Sequence, residues 1–259
     1  MLKGHTLENT LLVADFDRTM THWTPWCASA FWVFPRAPWS SEDIQKRAKE
    51  LFDYYYPIEI DPDIDDTERA LYMKEWNEKV MTVLWDHIDE EQYQRVMGYA
   101  IDNILIRDGI KDFFSSMQDN WVPIIVFSAW VSNVIQSVLE ANSIPYDSIH
   151  WNELWFNKGR LELINQWVYI WEKNWHSLPL NIRKIWSTRS HKILLWDSMD
   201  DLHMWDESRI LSSIWFLTSE KISKGHWLNY RIWFDHVIES DTCDRWFLAE
   251  IQKYLESTK

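Results

Sequence analysis

Three short apolar runs, each breaking off into polar residues, constrain this chain more than any other feature. Leu11-Leu12-Val13-Ala14 runs into Asp15-Phe16-Asp17, Pro123-Ile124-Ile125-Val126-Phe127 into Ser128, and Lys192-Ile193-Leu194-Leu195 into Trp196-Asp197-Ser198. Continuous apolar runs of this length, without alternation, mark strands buried on both faces, as in a parallel sheet. Helical stretches such as Val131 to Ala141 lie between and after them. The alternation predicts an α/β fold with a Rossmann-like, doubly wound parallel sheet. Such sheets bind ligands at the carboxyl ends of their strands, and all three polar clusters fall at those ends.

The segment between the first and second runs is too long for one crossover. Ser40, with Asp43 reaching back, reads as the start of a helix. Ile44, Ala48, Leu51, Phe52 and Tyr55 follow at helical spacing, and Met73, Trp76, Val80, Leu84 and Ile88 make a second stripe. Residues 22–105 are therefore expected to form a helical cap inserted into a core made of residues 1–21 and 106–259. Most members of the stripes are expected to pack the interior of that cap.

Composition narrows the function classes. The net charge is -14 and Lys and Arg form no basic stripe, so nucleic acid is not expected as a ligand. No apolar run is long enough to span a bilayer. Cys27 and Cys243 are the two cysteines, and neither sits in a CxxC pair. A zinc site and a disulfide framework are thus not expected, and a cytoplasmic setting is. A monomer or weak oligomer is expected.

The chemistry concentrates at the strand ends. Asp15 and Asp17 can both reach one ligand if the strand stops there. One carboxylate can then attack phosphorus while the other protonates the leaving oxygen. By themselves they read equally as solvated acids at a strand end. Ser128 adds a hydroxyl suited to a phosphate oxygen, and Asp197 and Asp201 add two further acids. So many acids would repel a phosphate unless a cation intervened, which points to a metal. Lys173 can neutralise further charge as a point cation.

Taken together, Asp15-Phe16-Asp17-Arg18-Thr19, Phe127-Ser128-Ala129, Lys173 and Asp197-Ser198-Met199-Asp200-Asp201 resemble the four ordered motifs of the haloacid dehalogenase superfamily. Tyr55 to Pro62 and Tyr72 to Trp76 resemble the cap of the cytosolic pyrimidine 5'-nucleotidases, and Ile214 to Leu217 resembles a downstream segment of that family. The resemblance implies an Mg²⁺-dependent phosphomonoester hydrolase acting on nucleoside 5'-monophosphates, with a pyrimidine base expected. It implies that Asp15 is the nucleophile of an aspartyl-phosphate intermediate and Asp17 the general acid and base. Asp15, the carbonyl of Asp17 and Asp197 are implied as Mg²⁺ ligands. Ser128, Ala129 and Lys173 are implied to hold the phosphate, Asp201 to support the metal shell, and Glu59 to contact the nucleoside. Val80 stands where the family can place a serine. Two alternatives remain: a phosphatase for another small phosphomonoester, and a binding protein that keeps the fold without turnover.

Tryptophan occurs 20 times and glycine only 5 times. Trp121, Trp130, Trp196 and Trp215 stand where a glycine would suit the turn or the resembled motif. Together the two residue types are about as frequent as usual. We expect these four codons to be UGA, read as glycine in the native host. The competing expectation is a real Trp-rich protein whose indoles crowd Ser128 and Asp197.

Overall fold

The computed structural model describes residues 7–22, 29–30, 32–59, 61, 63–85, 88–150, 152–157, 159–163, 173–197, 212–219 and 236–239. Six parallel strands form the central sheet: β1 (Thr10–Ala14), β2 (Ile124–Phe127), β3 (Ser148–His150), β6 (His191–Trp196), β7 (Ser212–Leu217) and β8 (His236–Glu239). Their order is β3-β2-β1-β6-β7-β8. The chain steps outward from β1 to β2 and β3, then returns to the other side of β1 through β6. The order therefore reverses around β1, and a ligand crevice opens at such a switch point. The three runs expected to be strands are three adjacent interior ones, β2, β1 and β6. Every described side chain of β1, β2 and β6 is buried.

Period-two alternation sorts these strands onto two faces. Leu12, Ala14, Ile124, Val126, Ile193 and Leu195 face one layer, which also contains Phe113 and Phe114 of α5 (Ile110–Asp119) and Ile135 and Leu139 of α6 (Ser132–Ala141). Leu11, Val13, Ile125, Phe127, Leu194 and Trp196 face the other, with Ile182 and Trp186 of α7 (Leu180–Thr188). Two antiparallel strands, β4 (Leu154–Asn157) and β5 (Arg160–Leu163), form a separate hairpin. Its turn uses Gly159 at φ 81°, a conformation in which a Cβ is costly.

Between β1 and α5 lie α1 (Val33–Arg36), α2 (Glu42–Glu59), α3 (Asp66–Trp85) and α4 (Glu90–Asn103). The two expected stripes face inward: Ile44, Ala48 and Tyr55 from α2, and Met73, Trp76, Val80 and Leu84 from α3, with Ile88 just beyond it. Leu51 and Phe52 are half-buried against the same cluster. The start of α2 differs from expectation. Ser41, not Ser40, caps it, its hydroxyl accepting from the Ile44 amide at 3.2 Å. The Ser40 hydroxyl instead donates to the Phe34 carbonyl at 2.6 Å, tying α2 to α1. A reciprocal box does open α4, where Asp89 accepts from the Gln92 amide at 2.7 Å and Gln92 accepts from the Asp89 amide at 3.1 Å. Among the described residues, no helix is long and apolar enough to cross a membrane.

Candidate active site

The Asp15 amide donates to the Leu195 carbonyl at 2.9 Å, so the β1–β6 ladder runs to the point where the acids begin. From there the backbone turns. Met20 and Thr21 both donate to the Phe16 carbonyl, and Arg18 adopts a left-handed φ of 66°. Because the strand stops at Ala14, Asp15 and Asp17 escape the opposite-face geometry of a continuing strand. Asp15, Asp17 and Asp197 are all buried. Lys173, 2% exposed, donates to Asp15 Oδ1 at 2.8 Å. Asn174 holds the turn after this lysine by accepting from the His176 and Ser177 amides. Residues at the ends of β1 and β6 and before α7, far apart in sequence, thus meet at the crevice.

Asp17 differs from Asp15 in its surroundings. Its carboxylate accepts from the Ala30 amide at 3.0 and 3.2 Å. Burial nevertheless dominates and pushes its carboxyl up to about 7; the Ala30 hydrogen bond and the Arg18 charge oppose the rise, Asp197 adds to it, and Lys173 opposes it. Asp17 is therefore poised to hold a proton near neutral pH while standing two residues from a lysine-paired carboxylate. A carboxyl that keeps its proton near neutral pH is suited to acid chemistry.

Ser128 follows β2 and is fully buried. Its amide donates to the His150 carbonyl at 2.9 Å, and its hydroxyl accepts from the Trp130 amide at 3.4 Å. Asn152, at φ 52°, donates from its side chain to the Ala129 carbonyl. Its own carbonyl accepts from the Ser132 amide at 3.3 Å. The Ser128–Ala129 loop is thus pinned from the segment after β3. Sequence reasoning missed Asn152, although an Asn in a loop is a residue type that tolerates positive φ. It also missed the Ala30 amide, which donates to Asp17, and Arg107, whose side chain donates to the Arg18 carbonyl, because a main-chain partner has no sequence signature.

Glu59 ends α2, on the same face as Phe52 and Tyr56, whose rings stack at 4.6 Å. Trp76 lies 6.2 Å from Phe52 and stacks on Tyr55 at 5.8 Å. It is 8% exposed, which agrees with a packing role. Asp201 lies outside the described residues.

The expected donor set, Asp15, Asp197 and the Asp17 carbonyl, is all oxygen and fits a hard cation. Among the described residues, no three His, Cys, Asp or Glu side chains converge as a metal cluster. Two carboxylates and a carbonyl suit Mg²⁺, which keeps waters and takes substrate phosphate as a ligand.

The four tryptophans divide. Trp121 has φ 59° and is 88% exposed. It follows α5 in a left-handed turn, with Trp121 N–H to Gln118 O at 2.9 Å and Val122 N–H to Met117 O at 3.0 Å. Those paired bonds form a Schellman motif, whose left-handed position favours glycine. Ser143 occupies the same position after α6 at φ 54°, so a side chain is tolerated there. Trp130, Trp196 and Trp215 are not among the residues with positive φ, so none of the three occupies the left-handed region that favours glycine. Trp196 and Trp215 are register partners in the α7-side layer. The Trp196 indole packs in that layer among apolar side chains.

Residues 19–249 match the pyrimidine 5'-nucleotidase (UMPH-1) family, the match beginning just beyond Asp17. A 7-methylguanosine phosphate-specific 5'-nucleotidase of Mus musculus is 29% identical over 208 residues, covering 75% of this chain and 67% of that protein. The Gallus gallus protein of the same description is 28% identical over 244 residues, covering 89% and 82%. The crystal structure of cytosolic 5'-nucleotidase IIIB bound to cytidine superposes with a TM-score of 0.80 at 25% identity, covering 98% of this chain and 89% of the other. A substrate-bound phosphoserine phosphatase shares the fold, with a TM-score of 0.58 at 17% identity and coverage of 95% and 97%. With this fold and these acids at its switch point, the chain belongs to the pyrimidine 5'-nucleotidase (UMPH-1) family of haloacid dehalogenase-fold phosphatases.

Proposed function

We propose that the chain hydrolyses nucleoside 5'-monophosphates to nucleoside and phosphate through an aspartyl-phosphate on Asp15. The observation that carries this reading is the pair at the end of β1: Asp15 beside Lys173, and Asp17 with its carboxyl raised to about 7. An Asp15 oxygen attacks phosphorus, the bond to the 5'-oxygen breaks, and Asp17 gives its proton to that oxygen. Asp17, now a carboxylate, takes a proton from water. The water oxygen attacks the aspartyl-phosphate, releasing phosphate and restoring Asp15. Ser128 and the Ala129 backbone, with Lys173, hold the phosphoryl oxygens. Mg²⁺, held by Asp15, the Asp17 carbonyl and Asp197, would supply the charge that lets a phosphate enter among these acids.

The helical segment 22–105 serves as the cap. Glu59 and the adjoining Phe52–Tyr56 stack offer a carboxylate and ring faces to a nucleoside, as bases stack on aromatic side chains. A pyrimidine nucleotide is the first substrate to try. The specificity of the relatives favours a second, 7-methylguanosine monophosphate, whose cationic base would gain from aromatic faces and a carboxylate. Phosphate release with Mg²⁺ from UMP, CMP, 7-methyl-GMP and a small aryl phosphate separates these readings. Activity confined to the aryl phosphate would exclude a nucleotidase.

A further inference from the structure

Arg107 is a guanidinium with 1% exposure, lying between α4 and α5 where the helical segment returns to the core. Burying such a charge is costly unless it is well hydrogen-bonded. Two of its donors converge on one atom: Nε at 3.2 Å and Nη2 at 2.6 Å both donate to the carbonyl of Arg18. Its plane lies over the ring of Phe216 in β7, with Cζ 4.8 Å from the ring centre. Its own amide donates to the Met20 carbonyl at 2.9 Å.

The acceptor is in an unusual state. Arg18 follows Asp17 directly and is left-handed at φ 66°. A side-chain-bearing residue persists there only when its surroundings over-determine it. Here the Arg18 amide donates to Thr21 Oγ1 at 2.8 Å while Arg107 holds the carbonyl. Beside it, Thr21 bridges Ile106, and the His22 amide donates to the Leu105 carbonyl at 2.8 Å. The segment leaving the core and the segment returning to it are thus laced together, with Arg107 at the knot. If Arg18 relaxed out of the left-handed region, the peptide joining it to Asp17 would rotate and carry the Asp17 carboxyl with it.

We propose that Arg107 is a positioning residue for acid catalysis: by fixing the Arg18 carbonyl, it aims Asp17 at the leaving oxygen. The proposal rests on the hydrolytic reading given above. It implies a dependence on the leaving group. In the step that breaks the ester, a poor leaving group needs Asp17's proton, whereas one that leaves as a stabilised anion does not; the later attack of water is the same for both. A role in stability alone would weaken both reactions together.

The test compares phenyl phosphate with 4-nitrophenyl phosphate, which are alike in size and lack a nucleoside. In Arg107→Met, kcat/KM on phenyl phosphate, which reports the steps up to departure of the leaving oxygen and not the later hydrolysis of the aspartyl-phosphate common to both esters, should fall about 10–100-fold, part of the typical contribution of a general acid. On 4-nitrophenyl phosphate the fall should be under about threefold, since little of that contribution is needed there. Arg107→Lys keeps the charge without the two-donor fork, and should show the same selective loss to a smaller degree. It serves as the reading if the Met variant fails to fold. Equal losses on both esters, or no loss on phenyl phosphate, overturn the proposal. A wild type active on aryl phosphates but on no nucleotide overturns the nucleotide reading and leaves this comparison readable. A wild type inactive on all of them overturns both.

Discussion

A carboxylate that attacks phosphorus must be ionised, and one that protonates a leaving oxygen must not be. Asp15 has Lys173 at 2.8 Å, whereas Asp17 is buried with a carboxyl near 7. The raised value has a consequence for stability in metal-free protein. Below the ordinary carboxylate pKa both folded and unfolded chains hold the proton, and the contribution is fully present. As pH rises toward about 7 the unfolded chain releases its proton first, and stability is lost. The loss is on the order of 4 kcal/mol at most, from about 1.4 kcal/mol per unit. Asp17→Asn should therefore stabilise the metal-free protein markedly at pH 8 and little at pH 4, read from denaturant midpoints. An equal effect at both values would mean that Asp17 is not held protonated. Trp121→Gly belongs to the same scale. Glycine normally weakens a chain, but at this left-handed position it should raise stability by about 1 kcal/mol. A lower melting temperature would show that the exposed indole contributes more than the backbone costs.

The elements set what each residue can reach. β1, β2 and β6 were legible because strands buried on both faces leave continuous apolar runs, and their polar ends pointed to the crevice. The stripes of α2 and α3 were legible for the same reason, through a different period. The edge strands β3 and β8 are short and carry polar residues, Ser-Ile-His and His-Val-Ile-Glu, so burial left little pattern in them. Arg107 and Asn152 were not legible at all. Each acts on a main-chain carbonyl, 89 and 23 residues away respectively, and a carbonyl has no sequence identity. At this scale the helical segment is tested through Glu59. Glu59→Ala should reduce nucleotide hydrolysis about 10-fold or more, as for a lost charged contact of over 1.4 kcal/mol. A small aryl phosphate, offering no nucleoside, should be hydrolysed nearly as before. Equal losses on the two substrates would remove Glu59 from nucleoside recognition.

For the molecule as a whole, the proposed reading has a strongly acidic chain accept a dianionic substrate, which would tie turnover to a cation. Chelation should abolish phosphate release and added Mg²⁺ should restore it; undiminished activity in excess chelator would rule out the proposed metal set. The 20 tryptophans against 5 glycines also belong to this scale. UGA codons at Trp121, Trp130, Trp196 and Trp215, with UGG at Trp76, would identify glycine in the native protein. The mass of the protein from its own host reads the same question directly. UGG at all four would make the paired indoles of Trp196 and Trp215 native core. The central claim is that Asp15 is the nucleophile of a 5'-nucleotidase, and one measurement bears on it most directly: Mg²⁺-dependent phosphate release from nucleoside 5'-monophosphates by wild type and by Asp15→Asn. The wild type should turn over, and the variant should be inactive with its circular dichroism unchanged, because an amide cannot attack phosphorus. Turnover by a folded Asp15→Asn protein at the wild-type rate would contradict the account.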